Sequence, residues 1–180
     1  GVAVGGESDG GDNNLNGTPY TVMTYNDQTS SLQSTAPDGK QYNVSPGGKQ
    51  LSGYLTNLGT FDIAAAQYLY GVNTSAAVGD TTYDITSNLG EGFATIWDNG
   101  GTDEITAESA SEGAVIDLRN ATLINEKGGG GYLSRIADEF SGYLIAYDTT
   151  GGAVIENATG SSFADKITGN SAYNSIDGGG

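Results

Sequence analysis

Asp98 and Asp103 stand five residues apart around a Gly-Gly pair, in Thr95-Ile-Trp-Asp-Asn-Gly-Gly-Thr-Asp103. Paired carboxylates with glycine between them can offer side-chain and main-chain oxygens to one hard cation, since glycine lets the backbone turn and exposes its carbonyls. The ordinary alternative is that both carboxylates cap backbone amides in a turn. Charge favours the cation. The chain carries 22 acidic against 6 basic residues, a net charge of −16. Self-repulsion of that size is relieved by divalent ions.

A second pattern points the same way. Gly160-Ser-Ser-Phe-Ala-Asp-Lys-Ile-Thr168 is followed by Gly169-Asn-Ser-Ala-Tyr-Asn-Ser-Ile-Asp177, and Gly178-Gly-Gly180 opens a third unit. Glycine holds the first position, Asp165 or Asn174 the sixth, and isoleucine the eighth. This is the skeleton of the calcium-binding nonapeptide of parallel β-rolls. Both copies are degenerate, because Phe163 stands where the pattern wants glycine at the fourth position and Tyr173 stands in the corresponding turn of the next copy. Asp165 is a candidate calcium ligand. Asn174, or Asp165 itself, is alternatively an ordinary turn residue.

Other chemistry is excluded by composition. The chain has no cysteine and no histidine. Disulfides, thiolate sites, imidazole bases and histidine-ligated zinc are therefore absent from it. The acidity disfavours nucleic acid and anionic membrane as partners. A cysteine-free extracellular chain needs another staple, and calcium suits it. Gly128–Gly131 reads as a flexible hairpin loop. No Lys-Ser/Thr follows it, so it is no phosphate loop.

The elements that position these residues are short. Glycine is abundant, at 30 residues, and proline scarce, at 3. The expected fold is mainly β, a β-sandwich or parallel β-roll, with one main α-helix near residues 60–70. Thr60 serves as N-cap, Asp62 lies in the first turn and Gly71 ends the helix. Phe61, Ala64, Ala65, Tyr68 and Leu69 form its apolar stripe. Strands are expected at 81–86, 93–97, 104–107, 114–118, 144–147 and 153–156. Trp97 reads as a core aromatic. Residues 1–17 and 26–59 read as irregular, and 19–25 as a strand or tight turn. A boundary near 71–80 divides the chain into 1–73 and 74–180.

Taken in order, several segments resemble the serralysin family of secreted bacterial metalloproteases. Tyr20-Thr-Val-Met-Thr-Tyr25 resembles its Met-turn. Asp62–Asn73 is similar to the helix that follows. Thr95–Asp103, continued by Ile116–Arg119 and Ile155–Ala158, is similar to the start of its calcium-binding C-terminal domain. The resemblance implies that Met23 lies beneath a zinc ion and that Tyr25 is the zinc-side tyrosine. It implies that Asp98, Gly100 and Asp103 bind one calcium with carbonyls of Ala77, Gly79 and Thr81. Gly101, Asp103 and Glu156 would bind a second. The family's His-Glu-x-x-His zinc helix is missing, so the chain as it stands is not a working zinc protease.

Three functions follow as expectations. The first is a calcium-binding, non-catalytic part of a secreted protease, cut at both ends, with zinc only in an intact parent and export by a C-terminal-signal route. The second is a stand-alone extracellular calcium-binding structural or adhesion module. The third, a lyase or epimerase on a β-roll, is disfavoured because Arg119, Lys127, Arg135 and Lys166 are scattered. Calcium ions, a missing catalytic half or other extracellular proteins are the expected partners.

Overall fold

The computed structural model describes residues 20–23, 34–35, 41–42, 55–137, 139, 141–147 and 153–180, with 34–35 and 41–42 described by backbone alone. Tyr25 therefore lies outside the described residues. The architecture is mainly β, with one α-helix. Two-residue strands β1 (Ser34–Thr35) and β2 (Gln41–Tyr42) pair antiparallel. Then come α1 (Thr60–Tyr70), β3 (Thr82–Asp84), a 3-10 turn (Ile85–Asn88), β4 (Phe93–Ile96), β5 (Glu104–Thr106) and β6 (Ala114–Asp117). β7 (Arg135–Ile136), β8 (Gly142–Ile145), β9 (Asn157–Thr159), β10 (Lys166–Thr168) and β11 (Ser175–Asp177) complete the order.

Most pairing is parallel. One sheet runs β11-β9-β5-β3, all parallel. A second runs β10-β6-β7, parallel between β10 and β6 and antiparallel between β6 and β7. β4 and β8 form a separate parallel pair. Successive strands β9, β10 and β11 begin nine residues apart and alternate between the first two sheets. The nonapeptide period is thus one strand and one turn per repeat.

Short strands bury one residue in two. In β5 and β9 only the central residues, Ile105 and Ala158, are buried, and they face each other in register. Ile85, Ile96, Ile116, Leu118, Ile136, Ile145 and Ile155 join them in the main core. Each such side chain contributes about 1.5–3 kcal/mol by leaving water. A second cluster joins Tyr20, Phe93, Leu133 and Leu144, with Leu55 and Phe61 against it. It packs side chains from both sides of the expected 71–80 boundary.

Several expectations need correction. Residues 153–156 are not a strand. Ile155 is fully buried there, but the ladder begins at Asn157, whose amide donates to the Asp103 carbonyl at 2.9 Å. Ile85 leaves the expected 81–86 strand because Asp84 accepts from the Thr86 amide at 2.8 Å and starts the 3-10 turn. Helix α1 has the expected bounds, yet Gly59 is its N-cap. Thr60 is buried and its hydroxyl donates to the Gly130 carbonyl at 2.7 Å. Asp62 accepts from the Gly59 amide at 2.9 Å and closes the first turn. The expected apolar stripe is not the buried face: Tyr68 and Leu69 are exposed, as is Tyr70. The helix is apolar on both sides, so period alone could not choose the core side.

Gly128–Gly131 is packed. A side chain at Gly130 would meet the Tyr20 ring at 2.3 Å, so glycine is required for that approach. Trp97 is half-buried, its indole N–H reaching the Asn73 carbonyl at 3.4 Å. Among the described residues, no helix is long and apolar enough to cross a membrane.

Candidate metal centre

The centre is built where the loop before β3 meets the turn between β4 and β5. Asn99 stitches the two together. Its backbone amide donates to the carbonyls of Ala76 (3.2 Å) and Ala77 (3.1 Å), and its side chain to that of Asn73 (2.7 Å). Ala77 takes a positive φ of 45°, a conformation costing about 1–3 kcal/mol for a residue with a side chain. Gly101, at φ 135°, lies against Gly79, and a Cβ there would sit 2.6 Å from the Gly79 carbonyl carbon. Only glycine allows the two loops to close this tightly.

Asp98 and Asp103 are both fully buried at this junction. Each does part of the capping that a bland turn reading expects. Asp98 Oδ1 accepts from the Gly100 amide at 3.2 Å, and Asp103 Oδ1 from the Thr81 amide at 2.8 Å. Asp98 Oδ2 accepts from the Tyr83 hydroxyl at 2.7 Å. Asp103 Oδ2 is buried and accepts no hydrogen bond. Asp103 also meets Glu156, whose Oε2 accepts the Asp103 amide at 2.9 Å.

The electrostatics follow from this crowding. Burial pushes the Asp103 carboxyl up to about 6. The Thr81 amide opposes the shift, and the charges of Asp98, Glu156 and Asp80 reinforce it. Tyr83 is likewise held well above the ordinary phenol range, first by burial and then by its bond to Asp98. Among the described residues, the charges acting on Asp103 are all negative.

Among the described residues, no group of three or more His, Cys, Asp or Glu side chains is arranged to hold a metal, so a cation at this junction would need main-chain carbonyls as ligands. The carbonyls expected from the sequence lie at the junction. Ala77 accepts from Asn99, Gly79 from the Thr81 hydroxyl at 3.0 Å, and Thr81 from the Glu104 amide at 2.9 Å. Each carbonyl oxygen has a second lone pair beyond that bond. The structure thus brings together Ala77, Gly79, Thr81, Asp98, Gly100, Gly101, Asp103 and Glu156.

Two further residues belong here and were missed. Tyr83 lies two positions beyond Thr81, and strand alternation alone could have placed it on the same face. Asp80 accepts from the Thr102 amide at 2.8 Å and adds its charge to the set.

The remaining candidates lie elsewhere. Asp165 is between β9 and β10, with both oxygens engaged. Oδ1 accepts from the Ala114 amide (2.6 Å) and the Ser161 hydroxyl (2.8 Å), and Oδ2 from the Ser161 amide (2.8 Å). Asn174 repeats the pattern one turn on, accepting from the Asn170 amide at 2.9 Å. Met23 is 80% exposed, so it is not a core methionine. Its turn is fastened by Asp62, which accepts from the Thr21 hydroxyl (2.6 Å) and the Val22 amide (2.8 Å).

Known proteins similar to this chain match part of it. No protein-family model matches it. Individual relatives do. It is 31% identical over 115 residues to metallopeptidase AprA of Pseudomonas marginalis, covering 58% of this chain and 22% of that protein. It is 38% identical over 69 residues to a serralysin of Proteus mirabilis, covering 32% of this chain and 14% of that protein. It is 34% identical over 107 residues to serralysin G of Dickeya chrysanthemi, covering 53% of this chain and 20% of that protein. The chain is serralysin-like over the part that these alignments cover. It spans between 14% and 22% of the length of these curated relatives.

Proposed function

We propose that this chain is a calcium-binding, non-catalytic part of a secreted, serralysin-like zinc endopeptidase. The observation that carries the reading is the buried, unpartnered Oδ2 of Asp103, set among the charges of Asp98, Glu156 and Asp80. Asp98, Asp103 and Glu156 would hold calcium, with carbonyls of Ala77, Gly79, Thr81, Gly100 and Gly101. Bound calcium would supply the positive charge that this junction lacks and lock the two loops that launch the parallel sheets. Asp165 is left out of the proposed ligand set, because its oxygens already accept three hydrogen bonds.

Catalysis would belong to a longer parent. The chain contains no histidine, so any zinc would be held by residues outside it. Met23 and Tyr25 would be its contribution to the floor of that site. The alternating β9-β10-β11 coil would be the opening of a β-roll, and a secreted location fits both the acidity and the need for millimolar-class calcium outside cells. Calorimetric titration of chelator-treated chain with calcium tests the central point. Saturable binding that Asp103→Asn abolishes is expected, and no heat together with an unchanged melting curve would discard the reading. The parent is tested separately by the upstream coding sequence, which should encode a His-Glu-x-x-His helix. Its absence there would favour the stand-alone module instead.

A further inference from the structure

Asn99 precedes Gly100 in the turn between β4 and β5, and an Asn-Gly step can modify itself. The Gly100 nitrogen can attack Asn99 Cγ, since glycine carries no side chain to hinder the approach. A new N–C bond closes a five-membered imide, and Nδ2 leaves as ammonia with the proton that Gly100 gave up. Water then opens the imide at one carbonyl or the other, leaving aspartate or isoaspartate at position 99. Asparagine is a thermolabile residue for this reason. The chain's other Asn-Gly step, Asn16-Gly17, lies outside the described residues.

In the closed junction both reacting groups are occupied. The Gly100 amide donates to Asp98 Oδ1 at 3.2 Å, so its proton is held beside a carboxylate. Asn99 Nδ2 donates to the carbonyls of Asn73 at 2.7 Å and Ala76 at 3.0 Å. The Asn99 backbone amide adds bonds to Ala76 and Ala77. Steric cover is not the guard, because a side chain built at Gly100 would meet nothing within 4 Å. The hydrogen bonds are the guard, and the Asn99 bonds are the ones that fasten the loop before β3 to this turn. Opening the junction therefore frees the reacting groups, and the product cannot restore it. A carboxylate at position 99 has no N–H to offer. It would confront the Asn73 and Ala76 carbonyls and add a charge next to the fully buried Asp98.

We propose that Asn99-Gly100 is a self-modification site gated by this junction: deamidation follows opening and makes the opening permanent. The bonds involved are made by the chain's own atoms, so the inference does not rest on the calcium reading. The test incubates the full chain at mildly alkaline pH, in buffer and in concentrated urea. Peptide mass spectrometry and isoaspartate-specific methyl labelling then read position 99. Conversion is expected to be roughly tenfold or more slower in the folded chain, since at least two hydrogen bonds must break first. In urea it should keep pace with Asn16, which has the same glycine neighbour. Equal rates at Asn99 with and without urea overturn the proposal, and that comparison needs no variant to fold. Chain converted in urea and refolded should melt roughly 5 °C or more below briefly treated chain. Asn99→Asp should reproduce the loss. Asn99→Gln, whose longer side chain cannot close the five-membered ring, is aged alongside and still converts at Asn16. It should lose nothing further on ageing. Converted chain that melts with the untreated one, or an equal loss in aged Asn99→Gln, overturns the proposal.

Discussion

Asp103 and Asp165 are both turn carboxylates leading into parallel strands, yet their oxygens are treated differently. In the repeat turn, Asp165 accepts from three donors, and the same closure recurs from Asn170 to Asn174. At the β4–β5 turn, Asp103 is fully buried and one oxygen meets no donor. A satisfied carboxylate holds structure by itself. A buried, unsatisfied one among like charges is held only if something outside the chain neutralises it. On the proposed reading the two turns divide the labour, one self-sufficient and one cation-dependent.

The largest test of that division is calcium removal. With calcium at a thousandfold excess over its Kd, linkage adds about 4 kcal/mol, roughly 10 °C in melting temperature. Chelator should remove it. Hydrogen exchange should then accelerate at 77–81 and 98–103, while 160–177 keeps its protection. Equal loss in both segments would break the comparison.

Next is the sign of the pH dependence. Without calcium, the Asp103 carboxyl titrates near 6 in the fold, against an ordinary value of 3.8. The native state then binds the proton more tightly than the unfolded chain. The stability from this group is complete below about 3.8 and is lost as pH rises through about 6. Asp98, Glu156, Asp80 and Tyr83 face it, and none supplies a positive charge. Chelated protein should thus melt higher at pH 5 than at pH 7, and Asp103→Asn should flatten the difference. In calcium the same substitution should destabilise, because a ligand is lost. A variant with one sign in both media would end the argument for Asp103.

How much of this could be read beforehand depends on range. The Asp98–Asp103 pair was legible because its spacing and glycines are local. The helix bounds were legible from Asp62 and Gly71. Residues 153–156 misled because Val154 and Ile155 look like strand, yet the ladder is set by Asn157 pairing with Glu104, a partner 53 positions away. Tyr68 and Leu69 misled because a helix apolar all round does not say which face the body takes. Which Asp oxygen would lack a donor was not legible at all. It depends on Ser161 lying within reach of Asp165 and on no equivalent residue reaching Asp103.

The repeat turn offers smaller tests. Asp165→Ala leaves the Ala114 and Ser161 amides without an acceptor, and should cost about 1–3 kcal/mol. The loss should be the same in calcium and in chelator, as read by denaturant midpoints at unchanged slope. A cost confined to calcium would make Asp165 a ligand after all.

The smallest expected effect is the most discriminating. Asn174→Asp restores the carboxylate that the nonapeptide pattern prefers. In this structure, though, Asn174 Nδ2 donates to the Glu156 carbonyl (3.2 Å) and to Asn170 Oδ1 (2.8 Å). A carboxylate cannot donate, so it would confront two acceptors and lose about 1 kcal/mol. Glu156 ties this turn to the proposed metal centre through its own side chain, so any disturbance of its carbonyl should appear there too. Calcium titration of the variant should therefore show a slightly weaker first binding event and no added one. An additional saturable event, with stability regained, would mean that the repeat turn had kept the capacity to hold a cation and that its hydrogen bonds are a substitute rather than a replacement.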